Sequence, residues 1–358
     1  MKSNAPPWLR WGCLGVLLVV LLLLPMQFSA FRVEQFIGWM TIAVAAAGLN
    51  LLTGYNGQIS VGHGALYGLG AYASALLVVE SSWPLLLTIP AAAVVCFVAG
   101  VVIGLPALRI RGFYLALVTL SVAVLFPQII EQFSSLTGGR SGLRMVVPQE
   151  GCPRGRPECP VKWEAPVDGL EPDQWKYYIF LTVTIIVFVV LSNLVRSRVG
   201  RSLVAIRDNE TAAAVSGINV SRTKIITFGV SAAVAGVGGA MFALNEGQVN
   251  PSSFTLLVSI YLLVAVVVGG PATVMGPVVG AIIYGLFNDV IGPALPGRFE
   301  NAAPVILGVL LVIQMLIAPN GVVGQFKDLM GHIQARHAGG APEGQTVGSS
   351  ENQEESET

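Results

Sequence analysis

Long runs of apolar residues, separated by short polar stretches, make up most of this chain. Each run holds about 15 to 25 residues, and a helix needs about 20 to cross the hydrocarbon core of a bilayer. The runs lack the alternation typical of membrane β-barrels, so we expect helices. The pattern predicts an all-α integral membrane protein with about ten transmembrane helices. The runs are 11–28, 36–52, 61–79, 84–108, 113–130, 177–195, 225–244, 254–268, 274–291 and 302–317.

Composition agrees with a membrane location. Hydrophobic residues make up 54% of the chain and charged residues 11%, and the mean hydropathy is +0.71. Soluble proteins carry about 25% charged residues, so this chain has too few to cover a solvated surface. The net charge of zero also argues against a nucleic-acid partner.

The chain divides into three regions. Residues 1–10 are expected to be a cytoplasmic N-terminus, residues 11–319 a membrane domain, and residues 320–358 a mostly disordered acidic tail in the cytoplasm. The first run is expected to remain as an uncleaved helix, because no cleavage site is obvious and further runs follow. The run 61–79 is short and rich in glycine, which leaves open whether it spans the membrane or re-enters it.

The distribution of basic residues predicts the orientation. Most arginines and lysines of short loops fall on one side of the predicted helices, including the cluster in 196–224. That side is expected to be cytoplasmic, and both termini then lie inside. The long loop 131–176 faces outwards, where Cys152 and Cys159 predict a disulfide, with two free thiols as the alternative. No metal site is expected, because no histidine is near and the cysteine spacing is not typical of zinc.

Polar residues and glycines interrupt the apolar pattern between residues 49 and 77. Polar side chains at membrane depth are costly unless they pair internally or line water, and transporters bind substrates where helices break. The segment 54–70 is therefore a candidate lining of a translocation path, with a packing hinge at the membrane surface as the alternative. Asp289 is either a pathway residue or a surface group. The candidate path residues are Asn50, Tyr55, Asn56, Gln58, Ser60, His63 and Asn288.

A polar connector lies between two apolar runs at residues 196–224. Asp208 is expected to cap a short helix through Val215, with Glu210 in its first turn and Gly217 as a left-handed stop. A structured helix in a short cytoplasmic loop favours docking of a partner. A solvated loop that only enforces orientation is the alternative.

The chain has no motif for ATP hydrolysis. A phosphate-binding loop needs a lysine directly after a glycine, and none of the lysines follows one. No nucleophile and base constellation is recognisable either, so we expect a non-enzymatic subunit without a cofactor of its own. If ATP drives this protein, another chain hydrolyses it.

Four blocks in order, together with the closing residues 319–324, resemble the permease subunit of branched-chain amino acid ABC importers, of the LivM type. The similarity covers about residues 38–324, and the stretch 148–176 and the acidic tail depart from it. The blocks are 49–77, the Arg-Gly-Phe-Tyr stretch 111–120, the Leu-Thr-Gly-Gly-Arg stretch 136–143, and 200–210 with Gly217 and Ile218.

The resemblance implies a type II importer fold, related to the vitamin B12 permease, in the bacterial inner membrane. It also implies a second permease chain of the LivH type, two ATP-binding subunits and a periplasmic substrate-binding protein. The connector would then dock the ATPase. The residues assigned to this coupling are Gly200, Arg201, Ala205, Arg207, Asn209, Glu210, Ala213 and Gly217.

Two other functions remain open at this point. Within the same class, permeases for urea or short amides look similar, and the substrate is recognised mostly by the binding protein. From another class, the chain could be an ion-coupled secondary carrier or a channel. The structured connector and the scarcity of charge within the apolar runs argue against that class.

Overall fold

The computed structural model describes residues 19–81, 83–107, 113–145, 163, 171–294, 303–317 and 321–325. The predicted Cys152–Cys159 disulfide, the N-terminus 1–10 and most of the tail 320–358 lie outside the described residues. These three expectations therefore stay predictions.

Helices account for nearly all of the described chain. The first six labelled helices are α1 (Ala30–Asn50), α2 (His63–Ser81), α3 (Leu85–Ala107), α4 (Phe113–Gln132), α5 (Pro172–Arg196) and α6 (Arg198–Asp208). The others are α7 (Glu210–Val215), α8 (Val220–Glu246), α9 (Leu256–Gly269), α10 (Gly276–Gly285) and α11 (Ala303–Ile317). Residues 19–27 and 321–325 are also helical.

Two of these helices continue into π-helical turns. A π-turn at Leu51–Tyr55 extends α1, and a second one at Leu286–Ile291 extends α10, followed by a short helix at Gly292–Ala294. Such wide turns are rare and are found frequently at functional sites. Both π-turns here lie where the sequence places polar residues among apolar ones.

Six helices within the described residues are long and apolar enough to cross a membrane: α1 with its π-turn, α2, α3, α4, α5 and α8. The helices α9 and α10 are apolar but shorter. The glycine-rich run 61–79 forms one continuous helix, His63–Ser81, which is among the six. The prediction of membrane helices is thus confirmed for these elements.

The expectation of an all-α chain needs a small correction. Strands β1 (Leu143–Arg144) and β2 (Gln248–Val249) form a two-stranded antiparallel sheet. Short helical turns at Ser134–Thr137, Gly139–Ser141 and Pro251–Phe254 flank the two strands. The sheet joins the loop after α4 to the loop after α8, on the side of the bundle opposite α6 and α7.

The centre of the bundle is built around α8, which packs against α1, α2 and α3. Glycines allow this close approach, because a Cβ on Gly239 would overlap the Tyr67 carbonyl oxygen and a Cβ on Gly70 would overlap the backbone of Gly236. Small residues of this kind let membrane helices pack backbone to backbone. The backbones of α2 and α8 therefore pack directly against each other at this crossing.

Hydrogen bonds at two points along α1 hold it to the π-turn after α10 and to the loop before α10. Near one end, Trp39 Nε1 donates to Asp289 Oδ2 at 2.7 Å. Near the other end, Asn50 Nδ2 donates to the Thr273 carbonyl at 2.7 Å, and the Ala272 N–H donates to Asn50 Oδ1 at 3.0 Å. Asp289 thus serves as a hydrogen-bond acceptor between helices.

Candidate functional site

The chain is not helical between α1 and α2, and residues 56–62 form a helix break. The helix leaves its π-turn at Tyr55, and regular structure resumes only at His63. Gly57 has φ +70°, a left-handed conformation that glycine adopts without strain. The Gln58 N–H donates to the Leu52 carbonyl at 3.1 Å, which satisfies one carbonyl group of the ended helix.

Side chains alternate along the helix break. Asn56, Gln58 and Ser60 are buried, whereas Gly57 and Ile59 are exposed. The polar side chains of the break thus face the protein, although Asn56 and Gly57 are not in an extended conformation. The break therefore directs its amides and its hydroxyl inwards.

The structure gathers six of the seven predicted path residues in this region. Asn50, Tyr55, Asn56, Gln58, Ser60 and His63 are all buried around the end of α1 and the start of α2. Asn288 is not with them. Its side chain is exposed at the π-turn of α10 and donates to Asp289 Oδ1 at 2.7 Å.

His63 lies at the centre of a buried hydrogen-bond chain. Ser231 Oγ donates to the Gly48 carbonyl, so the Ser231 oxygen must accept from His63 Nε2, 2.7 Å away. In the neutral ring Nδ1 then accepts from Ser60 Oγ at 3.0 Å. The histidine thus links the helix break to α1 and α8.

Neighbouring helices supply acceptors for the backbone at the start of α2. The Val61 N–H donates to Thr119 Oγ1 of α4 at 3.0 Å, and the Gly64 N–H donates to Ser259 Oγ of α9 at 2.9 Å. The first N–H groups of a helix have no partners within the helix, and Ser259 of α9 satisfies the one of Gly64. Thr119 of α4 does the same for Val61, which lies just before the helix.

Three buried amides have polar atoms without partners among the described residues, and two of the three lie in the helix break. The two are Asn56, which is 2% exposed and has both amide atoms unpaired, and Gln58, which is 7% exposed and has Oε1 unpaired. The third is Oδ1 of Asn245, near the far end of α8. A buried polar group without a partner costs about 1–3 kcal/mol. Most buried polar groups in folded proteins are paired, so this pair marks a functional candidate.

The connector between α5 and α8 folds into two helices. Ser197 caps α6 by accepting from the Val199 N–H at 3.1 Å, and Leu203 and Ile206 turn the apolar face of α6 inwards. At Gly200 the backbone has no room for a side chain, since a Cβ there would overlap the Val195 carbonyl oxygen. The corner between α5 and α6 therefore requires glycine.

The expected cap of the second connector helix is wrong by one residue. Asn209 caps α7, and its Oδ1 accepts from the Ala212 N–H at 3.0 Å. Asp208 ends α6 instead, where its carboxylate pairs with the Arg207 guanidinium. The left-handed conformation of Gly217 is confirmed, at φ +86°.

The residues assigned to coupling have different environments. Gly200 and Ala213 are buried, and Ala205 and Glu210 are partly buried. The exposed residues of this set are Arg201, Arg207, Asn209 and Gly217. Glu210 forms an ion pair with Lys224 in the first turn of α8. The freely accessible surface of α7 is formed by Thr211, Ala212, Ala214 and Val215.

Sequence reasoning missed the partners of these residues. Ser231, Ser259 and Thr119 each interrupt an apolar run, and a lone hydroxyl residue at membrane depth is the signal that could have identified them. Apart from its charge, nothing in the sequence indicated that Lys224 would pair with Glu210. Among the described residues, no three His, Cys, Asp or Glu side chains gather into a metal site.

Comparisons with known proteins place these features in context. Residues 33–315 match the family model described as a branched-chain amino acid transport system permease component. The chain is 31% identical to the high-affinity branched-chain amino acid transport system permease protein LivM of Escherichia coli K12, over 87% of this chain and 74% of that protein. It is 25% identical to LivH of the same organism, over 84% of this chain and 97% of that protein. No solved structure matches the chain.

Proposed function

Because this chain belongs to the family of branched-chain amino acid transport system permease components, we propose that it is a membrane-spanning subunit of an ATP-driven importer for branched-chain amino acids. The observation that carries this proposal is the family match over residues 33–315, which covers both the helix break and the connector. The chain is located in the inner membrane, as its family and its apolar helices indicate.

We propose a type II importer architecture with about ten transmembrane helices and with both termini in the cytoplasm. Six span-length helices support it, and we propose that the helices α9, α10 and α11 and the helix containing residues 19–27 are the further spans. The helix break and the connector meet on one side of the bundle, which is the cytoplasmic side in this arrangement. The outer loop and the β1–β2 sheet lie on the periplasmic side.

The proposed importer contains partners that this chain lacks. Both LivM and LivH are among its relatives, which supports a permease pair of two different chains. Two ATP-binding subunits would supply the hydrolysis for which the sequence has no lysine motif. A periplasmic protein would deliver the substrate. No cofactor is needed in this chain.

The helix break is proposed to line the substrate route. Asn56 and Gln58 leave three amide atoms unpaired in the described conformation, and this free-energy cost is removed when water or substrate reaches them. Alternating access would provide that exposure in a second conformation. The amides then provide donors and acceptors for the charged groups of an amino acid.

Reconstitution of the importer tests the function. The purified chain would be assembled in vesicles with its permease partner, two ATPases and a binding protein, and uptake of labelled leucine, isoleucine and urea would be measured. We expect ATP-dependent uptake of leucine and isoleucine. Uptake of urea alone would identify the short-amide branch. Uptake driven by an ion gradient without the ATPases would identify a secondary carrier instead.

Cysteine accessibility tests the proposed route. We expect cysteines at Asn56 and Gln58 to change their labelling rate by about tenfold between the resting and the ATP-trapped importer, because buried groups must become hydrated. Ile59 is the matched control, since it is 51% exposed and faces the other way. Its labelling should change by less than about twofold. Equal protection of both amide positions in both states would favour the packing hinge.

A further inference from the structure

The connector provides the cap for the end of α1. The carbonyls of the last helical turn have no helical N–H partners, and one of them, the Gly54 carbonyl, accepts a hydrogen bond from Arg207 Nη1 at 3.1 Å. The two residues are separated by 153 positions in sequence. A cationic donor at a helix C-terminus also stabilises the negative end of the helix dipole.

The aliphatic part of Arg207 lies against the helix break itself. A Cβ built on Gly57 would lie 2.8 Å from Arg207 Cγ and 3.5 Å from Arg207 Cα. Gly57 also has the left-handed conformation already described, so two separate constraints favour glycine there. The Arg207 side chain of α6 therefore lies directly against residues 54–57.

A carboxylate on the connector fixes the orientation of the guanidinium. Arg207 Nε and Nη2 donate to Asp208 Oδ1 at 3.1 and 3.0 Å, while Nη1 reaches the Gly54 carbonyl. Arginine can make both contacts because its five donors lie in one rigid plane. A lysine ammonium has no such plane and would not keep all three hydrogen bonds.

The connector is attached to the site at a second point. Glu210 of α7 pairs with Lys224 in the first turn of α8, and α8 also carries Ser231, the partner of His63. The two contacts thus join the connector to the π-turn after α1 and to α8. Both α1 and α8 contribute to the buried hydrogen-bond chain of His63. Movement of α6 would therefore act directly on residues 54–57 through Arg207.

We propose that Arg207 is a positioning residue that couples movement of the connector to the conformation of the helix break. This inference rests on the proposed function, in which ATPase subunits move the connector. With Arg207 on the Gly54 carbonyl, the π-turn is held and the amides of Asn56 and Gln58 stay buried. When the connector moves, the guanidinium leaves the carbonyl, and residues 54–58 are free to rearrange and expose the amides.

The test uses the complete importer in vesicles with Arg207→Ala, Arg207→Lys and Arg198→Ala. Arg198 is the matched control, an exposed arginine at the start of the same helix. We expect Arg207→Ala to retain the ATPases and to hydrolyse ATP within about threefold of wild type, with about tenfold fewer leucine molecules imported per ATP. Arg207→Lys should restore part of this ratio, and Arg198→Ala should leave it unchanged.

A labelling measurement separates coupling from folding. In the Arg207→Ala background, a cysteine at Gln58 should label at a rate that no longer responds to nucleotide. If Arg207→Ala fails to insert, Gly57→Ala carries the test, because its methyl group displaces the Arg207 side chain from the break. If both single variants insert, the double variant Gly57→Ala/Arg207→Ala should import no less per ATP than Gly57→Ala alone, since both changes break one contact.

Two results would overturn the inference. One is an unchanged import per ATP in Arg207→Ala. The other is a parallel loss of hydrolysis, uptake and bound ATPase, which would make Arg207 only a docking residue. Failure of the proposed function looks different, because the wild-type complex itself would then show no ATP-dependent uptake of leucine.

Discussion

Replacing Gly239 by valine should prevent the bundle from folding. The Cβ of any residue at this position would overlap the Tyr67 carbonyl oxygen and approach the Ala71 backbone nitrogen to 2.9 Å. These obstacles are backbone atoms of α2, so no side-chain rotation can relieve the overlap. Overpacking of this kind costs about 3 kcal/mol or more, a large part of the stability of a typical domain.

The matched control for this prediction is Gly38→Val on α1. A Cβ on Gly38 would meet nothing within 4 Å, so the same substitution adds bulk without a clash. Thermal unfolding in detergent, followed by size-exclusion chromatography, measures both variants. Gly239→Val should aggregate or unfold at much lower temperature, and Gly38→Val should behave as wild type. A monodisperse Gly239→Val protein with an unchanged melting temperature would contradict the α2–α8 packing.

Replacing Val215 by aspartate should abolish uptake without disturbing the membrane domain. Val215 is 85% exposed at the end of α7. A central apolar contact in a protein interface contributes about 2 kcal/mol or more, which corresponds to about 30-fold weaker association. In the proposed importer, uptake and stimulated ATP hydrolysis should fall together, because the ATPase would dock more weakly.

Val215→Leu is the conservative control, since it keeps the apolar contact and should retain most uptake. Ala213→Trp should give a different result, because Ala213 is buried and the added bulk would disorder the connector itself. Glu210→Lys would likewise act through loss of the Lys224 ion pair. Full uptake and normal co-purification of the ATPase with Val215→Asp would show that α7 docks through another surface.

The apolar pattern was enough to locate the helices. The run 84–108 became Leu85–Ala107, and the run 113–130 became Phe113–Gln132. Larger differences occur where a helix begins with polar residues. The predicted run 225–244 left out the first turn of the helix Val220–Glu246. Asn219 caps the N-terminus of this helix. Hydropathy alone cannot find such a turn, because its residues are polar and still helical.

The candidate site was predictable only in part. Glycines and polar residues between 49 and 77 indicated a helix break, and the structure places the break at 56–62. Its partners were not predictable, because Ser231 and Ala272 lie 168 and 222 positions away from His63 and Asn50. The local pattern also grouped Asn288 with residues from which the structure separates it. Only the tertiary packing decides which polar side chain meets which backbone group.

The two sets of hydrogen bonds on α1 limit how α1 and α10 can move relative to each other. Trp39 and Asn50 are 11 residues apart, a separation of about 16 Å along a helix. Their hydrogen bonds hold α1 to α10 near one end and to the loop before α10 near the other. Sliding along the common axis would break both sets at once, whereas tilting the pair together breaks neither. We therefore expect α1 and α10 to move together as one unit in any conformational change that keeps these hydrogen bonds.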